Sequence, residues 1–269
     1  MIFFGTLLGV LASIGQVVIS DSISLQSVLS AAFFGLILLP VVPYTDGSGG
    51  IGFPLNGVVW SLFYQISSNM IWICLLPFLT RRVGAIILVG CLVWICVIAA
   101  MHGNLHHGAD FRFLFEGSGR AAFAFSAGVA LAGIRIRARA MRGEYVVLLL
   151  LLALAVPDFP GDRFYDVICV AVLFPILLLL AVEAEPTTGA KVWIWAGAIS
   201  YALYLIHIPI LRVGHWVATK AALTGTALWV FVAAEGLVII LISYAVLKLY
   251  DEPVRAYLRK SRAPSGIRV

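Results

Sequence analysis

The segment Arg81–Met101 reads RRVGAIILVGCLVWICVIAAM: two arginines, then an apolar run with no further charge. About 20 apolar residues, each rising 1.5 Å, cover the hydrocarbon core of a bilayer. The segment therefore predicts a membrane-crossing helix over 83–101 with its cationic end held at the interface. Similar runs on either side predict spans near 2–19, 24–42, 57–80, 119–134, 145–157, 164–183, 192–212 and 225–249. The run from Tyr145 to Pro157 is short for a crossing, so it is tilted, extended into its flanks or re-entrant. The expected fold class is all-α, a polytopic transmembrane helix bundle of about 8–9 membrane segments. It forms one domain over residues 1–258, followed by a basic cytoplasmic tail over 259–269.

Composition supports this class. Of the 269 residues, 62% are hydrophobic and 12% charged, and the mean hydropathy is +1.05. A soluble domain is nearer a quarter charged, and disordered chains are poor in apolar residues. An outer-membrane barrel would alternate over segments of about ten residues. The net charge of +5 reads as topology rather than as a nucleic-acid surface: thirteen of the eighteen Lys and Arg residues lie at 81–82, 135–142, 191 and 248–268, on alternate loops. Basic residues stay on the cytoplasmic side. This predicts a multi-pass protein of the inner (plasma) membrane with a cytoplasmic C-terminus and with loops 43–56, 102–118, 158–163 and 213–224 on the far side. Nine crossings would then put Met1 outside, which makes 145–157 the first suspect for a segment that does not simply cross. The run Pro43–Gly50 is turn chemistry. Cys74, Cys91, Cys96 and Cys169 lie singly in apolar runs and read as small buried hydrophobes.

Polar side chains at bilayer depth are costly and face protein or a wet cavity. Five places qualify. Ser61, Gln65 and Ser68 share one helical face, which either lines a polar cavity or hydrogen-bonds a packed neighbour. Ser200, Tyr204 and His207 share another; His207 is either a general base, since imidazole titrates near neutrality, or a packing histidine before Pro209. Arg120 either snorkels to the interface or clamps an anion. Glu235 stands alone in Val232–Val246 as a relay, an arginine's partner or an interfacial acid. His102 and His106 have metal-gripping i, i+4 spacing, with His107 beside them, but Gly103 and Gly108 interrupt a helix and no third ligand is evident, so no metal is expected.

Two of these places, with two more segments, resemble the membrane acyltransferase-3 family. Phe53-Pro54-Leu55-Asn56-Gly57-Val58-Val59-Trp60-Ser61-Leu62-Phe63-Tyr64-Gln65 is similar to that family's FPLNGPLWSLFFE segment. Ile199-Ser200-Tyr201-Ala202-Leu203-Tyr204-Leu205-Ile206-His207-Ile208-Pro209 is similar to its ISYSLYLxHxP segment. Arg120 with Phe123, Phe125 and Gly128 resembles the arginine-bearing helix between them, and Tyr250-Asp251-Glu252-Pro253-Val254-Arg255 resembles the end of its last helix.

The resemblance implies an integral-membrane O-acyltransferase. Such an enzyme moves an acyl group, chiefly acetyl, from acyl-CoA as co-substrate to a hydroxyl of a sugar, polysaccharide or glycolipid, with no bound cofactor and no nucleic acid. It implies His207, Gln65 and Tyr204 at the reaction centre, and Asn56, Trp60, Ser61, Arg120, Ser200 and Tyr201 holding substrate. Two departures stand out. The family's main histidine follows a basic residue by eleven positions in its first helix, and no Lys or Arg here has that spacing; the early helices are expected to be missing and to be supplied, if at all, by a partner. The family's usual Glu is Gln65 here, which keeps hydrogen bonding and loses ionisation. Competing classes are an inactive member acting as a membrane interaction protein, and a small-solute transporter, which would carry an inverted repeat.

Overall fold

The computed structural model describes residues 2–20, 24–41, 52–106, 108–134, 142–156, 162–184 and 189–262. The turn-rich 43–50, His107, the arginines at 135, 137 and 139, and the chain after Arg262 lie outside the described residues. The architecture is all-α: α1 (Ile2–Ser20), α2 (Leu25–Leu36), α3 (Val59–Leu75), α4 (Arg81–His102), α5 (Leu114–Leu131), α6 (Gly143–Leu154), α7 (Asp162–Ile168), α8 (Phe174–Glu183), α9 (Ala190–Lys220), α10 (Gly225–Val246) and α11 (Glu252–Arg262). Among the described residues, five helical stretches are long and apolar enough to cross a membrane: Val59–Phe78, Arg81–His102, Arg163–Glu183, Ala190–Lys220 and Gly225–Arg259.

Local chemistry sets these bounds. The Thr80 hydroxyl caps α4 by accepting from the Val83 N–H at 3.2 Å, and Gly103 ends it with φ +80°. The expected span 24–42 is corrected: α2 stops at Leu36, and Leu38 turns the chain with φ +58°. The expected span 145–157 is a 12-residue helix, α6, about 18 Å long and too short for a roughly 30 Å core. The first four residues of the expected basic tail, 259–262, continue α11. Cys91 and Cys169 are buried as expected, whereas Cys74 and Cys96 are exposed. Phe78, Ile86, Val182 and Ile194 are also exposed, as suits helices solvated by lipid.

The chain divides into two compact units. Unit one comprises 1–46, 53–59 and 191–269, and so contains α1, α2, α9, α10 and α11. Unit two comprises 47–52 and 60–190 and holds α3 to α8. In unit two, Cys91, Ile95, Ile98 and Ala99 of α4 pack on Phe123 and Ala127 of α5 and on Leu105. Gly119 lets the two helices close, since a Cβ there would sit 2.8 Å from Ile98 and 3.1 Å from Trp94. Between apolar helices in lipid, such close packing replaces the hydrophobic effect as the source of cohesion.

Unit one uses the same device. Gly5 and Gly9 of α1, four residues apart, bring that helix against the segment 53–59: a Cβ at Gly9 would run into the Leu55 carbonyl. Leu55 joins Val28, Ala31 and Val41 in a second buried cluster. At the far end of this unit, Asp251 pairs with Arg255 at 2.7 Å.

Apart from Pro77 in the short 3-10 turn Leu76–Phe78, three prolines of the described residues lie within helical stretches and meet the missing N–H in two ways. Pro175 and Pro253 follow π-helical turns, Cys169–Leu173 and Leu247–Asp251, where the hydrogen bonds shift by one residue. Pro209 is buried in the middle of α9, with uninterrupted α-helix on both sides.

The glycine contacts make a direct prediction. Gly9→Ala should destabilise the protein by about 1–3 kcal/mol, because the backbone of Leu55 cannot yield. Gly90→Ala, with nothing within 4 Å of its added carbon, should leave stability unchanged or raise it by up to about 1 kcal/mol. Thermal unfolding of both variants in detergent micelles checks the pair; equal losses would mean that the approach at Gly9 does not matter.

Candidate functional site

In an α-helix the N–H of residue 209 would donate to the carbonyl of Leu205. Proline has no N–H, so that carbonyl is orphaned. The Asn56 side chain takes the vacancy: Nδ2 donates to the Leu205 carbonyl at 2.7 Å, where Leu205 is fully buried and Asn56 is 2% exposed. Gly5 makes room, since a Cβ there would lie 2.6 Å from both the Asn56 amide and the Leu205 oxygen. The other Asn56 atom, Oδ1, is buried without a hydrogen-bond partner among the described residues.

From the residue just before Leu205 on α9, the Tyr204 hydroxyl donates to the Val58 carbonyl at 3.3 Å. The loop 56–58 is thus tied to α9 at two points. His207 follows Tyr204 with ring centroids 6.0 Å apart. Its Nδ1 is 3.1 Å from the Leu203 carbonyl and 2.8 Å from the Tyr204 carbonyl. Carbonyl oxygens only accept, so Nδ1 carries the proton and Nε2 holds the lone pair. Ser200, expected on the same face, donates to the Gly197 carbonyl at 2.8 Å, and Tyr201 is exposed.

The remaining expected site residues belong to unit two. The Arg120 guanidinium lies 5.3 Å from the Trp60 ring centroid and donates to the Leu105 carbonyl. The Leu105 N–H donates to Asp166 Oδ2 at 2.8 Å, and His106 Nε2 is 3.5 Å from the same oxygen. Both backbone polar groups of buried Leu105 are thereby met by charged side chains. Tyr64, packed edge-on against Trp60, donates to the Leu114 carbonyl at 2.8 Å, and Gly117 gives it space. Ser61 is partly buried on α3; Gln65 is exposed there, its backbone carbonyl accepting from Asn69 at 2.7 Å.

The structure therefore brings together Asn56, Tyr204 and His207, and separately Trp60 and Arg120. His102 and His106 do not converge: His102 faces Glu116 at 3.2 Å and His106 faces Asp166. In the same loop, bonds from Arg112 hold the partly buried Asp110 carboxyl below the usual carboxylate range. Glu235 lies against Gly214 of α9, with Oε1 buried and lacking a partner among the described residues. Sequence reasoning missed Asp166. Its signal was available as the single acid within the apolar stretch 164–182, the kind of residue a membrane makes expensive.

A family model described as an acyltransferase domain matches residues 1–248. No curated protein and no solved structure matches the chain.

The orphaned carbonyl makes the contribution of Asn56 depend on Pro209. Asn56→Ala should destabilise the wild-type chain by about 1–3 kcal/mol, the cost of a buried acceptor left unpaired. In a Pro209→Ala background the helix supplies its own donor to Leu205, and the same truncation should cost about 1 kcal/mol less or better. A double-mutant cycle of unfolding free energies measures the difference; strict additivity would show that the two residues act independently.

Proposed function

Because the chain belongs to the acyltransferase-3 family, we propose that it is an integral-membrane O-acyltransferase that moves an acyl group, chiefly acetyl, from acyl-CoA to a hydroxyl of a sugar, polysaccharide or glycolipid. The observation that carries this reading is the orientation of His207. Its protonated Nδ1 is bound to backbone, so Nε2 is the basic nitrogen and can accept a proton from an attacking hydroxyl. In the step proposed, the acceptor oxygen bonds to the thioester carbonyl carbon while Nε2 takes the hydroxyl proton. The carbon–sulfur bond then breaks, and the leaving thiolate recovers the proton from the imidazolium.

Gln65 is a proposed donor to the developing oxyanion, and Tyr204, whose single O–H is engaged by the Val58 carbonyl, is a proposed positioning residue beside His207. Asn56 is a second candidate donor, because Leu205 engages one N–H of its amide and the other is left. Trp60, Ser61, Arg120, Ser200 and Tyr201 are proposed to hold substrate.

The proposed setting is the inner membrane, with about eight or nine membrane segments and the C-terminus in the cytoplasm, where acyl-CoA is made available. The alternation of basic loops supports that orientation.

Two measurements test the proposal. His207→Ala should lower acetyl transfer from acetyl-CoA to a glycan acceptor by about 100-fold or more, the usual weight of a general base, with membrane insertion and unfolding temperature unchanged. Retained activity would reduce His207 to a packing residue. Reporter fusions after Arg82, Ala140 and Ala190 should all give the cytoplasmic signal; a far-side signal at any of them would overturn the orientation.

A further inference from the structure

Unit two contains a cavity of 490 Å³ between the loop that ends α4, the first half of α5, the end of α6 and the start of the α7–α8 stretch. Its polar lining is Arg120, His106, Asp166 and Tyr165. Its remaining wall is apolar, including Leu154, Val170 and Phe174. The volume suits one or two sugar rings by the usual range of small-molecule sites.

The mixture of groups selects the ligand. Arg120 offers N–H donors beyond the one engaged by Leu105, Asp166 offers acceptor oxygens, and His106 offers a ring nitrogen. A lone anion would suit Arg120 but meet Asp166, and a cation would suit Asp166 but meet Arg120. A neutral ring carrying several hydroxyls satisfies both, because each hydroxyl donates once and accepts twice. Phe174 and Leu154 fit the C–H face of such a ring.

We propose that this cavity is the binding site for a neutral sugar, the acceptor of the acyl group. The assignment to an acceptor rests on the acyltransferase reading; the assignment to a sugar rests on the cavity. Its position agrees with that role. The lining comes from the ends of α4 and α6 remote from Arg81, Arg82 and Arg142. By the basic-loop rule those arginines face the cytoplasm, so the cavity lies toward the opposite side, where exported glycans reside.

Saturation-transfer NMR on the purified full chain in detergent micelles tests the site without any acyl donor. The probes are methyl glucoside, methyl galactoside and N-acetylglucosamine as neutral sugars, with glucuronate and glucosamine as charged controls. The expected result is saturation of at least one neutral probe above both charged ones. Asp166→Asn should weaken it about fivefold or more, as loss of a charge-assisted hydrogen bond does. Because Asp166 also holds the Leu105 peptide, Leu154→Trp provides a second variant that fills the cavity and leaves every polar contact in place; it should remove the signal without lowering the unfolding temperature. No saturation by any neutral probe, equal signals in both variants, or preference for a charged probe would overturn the proposal. Sugar bound without acetyl transfer from acetyl-CoA would overturn the acyltransferase reading and leave the site standing. Transfer without sugar saturation would do the reverse.

Discussion

A helix carbonyl deprived of its donor has few remedies inside a membrane. Water is absent from the hydrocarbon core, and an unsatisfied backbone group there costs several kcal/mol. Pro209 creates such a carbonyl at Leu205, and the amide of Asn56 fills it from a loop 149 positions away in sequence. Much of unit one follows from that bond. The loop must lie against α9, so Val58 comes within reach of the Tyr204 hydroxyl. The close approach of α1 to the same point then requires Gly5, and the continuation of the contact requires Gly9 at Leu55. Pro175 and Pro253 have a cheaper solution, a π-helical turn that re-pairs the backbone within its own helix. Only at Pro209, among these three, is a second segment recruited to the break.

Unit two solves a related problem with charge. The loop after α4 buries Leu105, and both of its backbone polar groups are met by ionisable side chains, Asp166 on the N–H and Arg120 on the carbonyl. This explains how two costly groups persist among apolar helices: each satisfies backbone that lipid could not, and Arg120 is further sheltered by the Trp60 ring. The two readings of Arg120 available from sequence, snorkelling and anion clamping, both overlooked this. An arginine can bond the backbone and still present other donors to a cavity.

What was legible in the sequence was what depends on local periodicity. The α4 span was readable to within a few residues because its arginines, Thr80 and Gly103 are all adjacent in the chain. The end of α2 was not, because Leu36 to Leu39 continues apolar: Pro40 marks a stop a few residues late, and the chain already turns at Leu38 with its positive φ. His207 stood out as a histidine within an apolar run, and its shared face with Tyr204 was readable from spacing. The purpose of Asn56 was hidden, because its partner is a backbone atom of a distant helix. The division into two units was hidden for the same reason: it separates Val59 from Trp60 inside one continuous helix, where no composition shift or linker marks a boundary.

The environment of His207 bears on the kind of chemistry it can support. In hydrolases built on a histidine base, a buried carboxylate commonly fixes the tautomer and stabilises the imidazolium. Here the tautomer is fixed by carbonyls of the preceding helical turn, which orient the ring but bring no full negative charge. Such a base is oriented by backbone alone. The proposed acyl donor is a thioester, which is already activated. On the proposed reading, the ring is held by α9 itself, and α9 keeps its course through Pro209 because Asn56 repairs the break two residues before His207. The same asparagine that closes the fold of unit one therefore also supports the helical turn that carries His207.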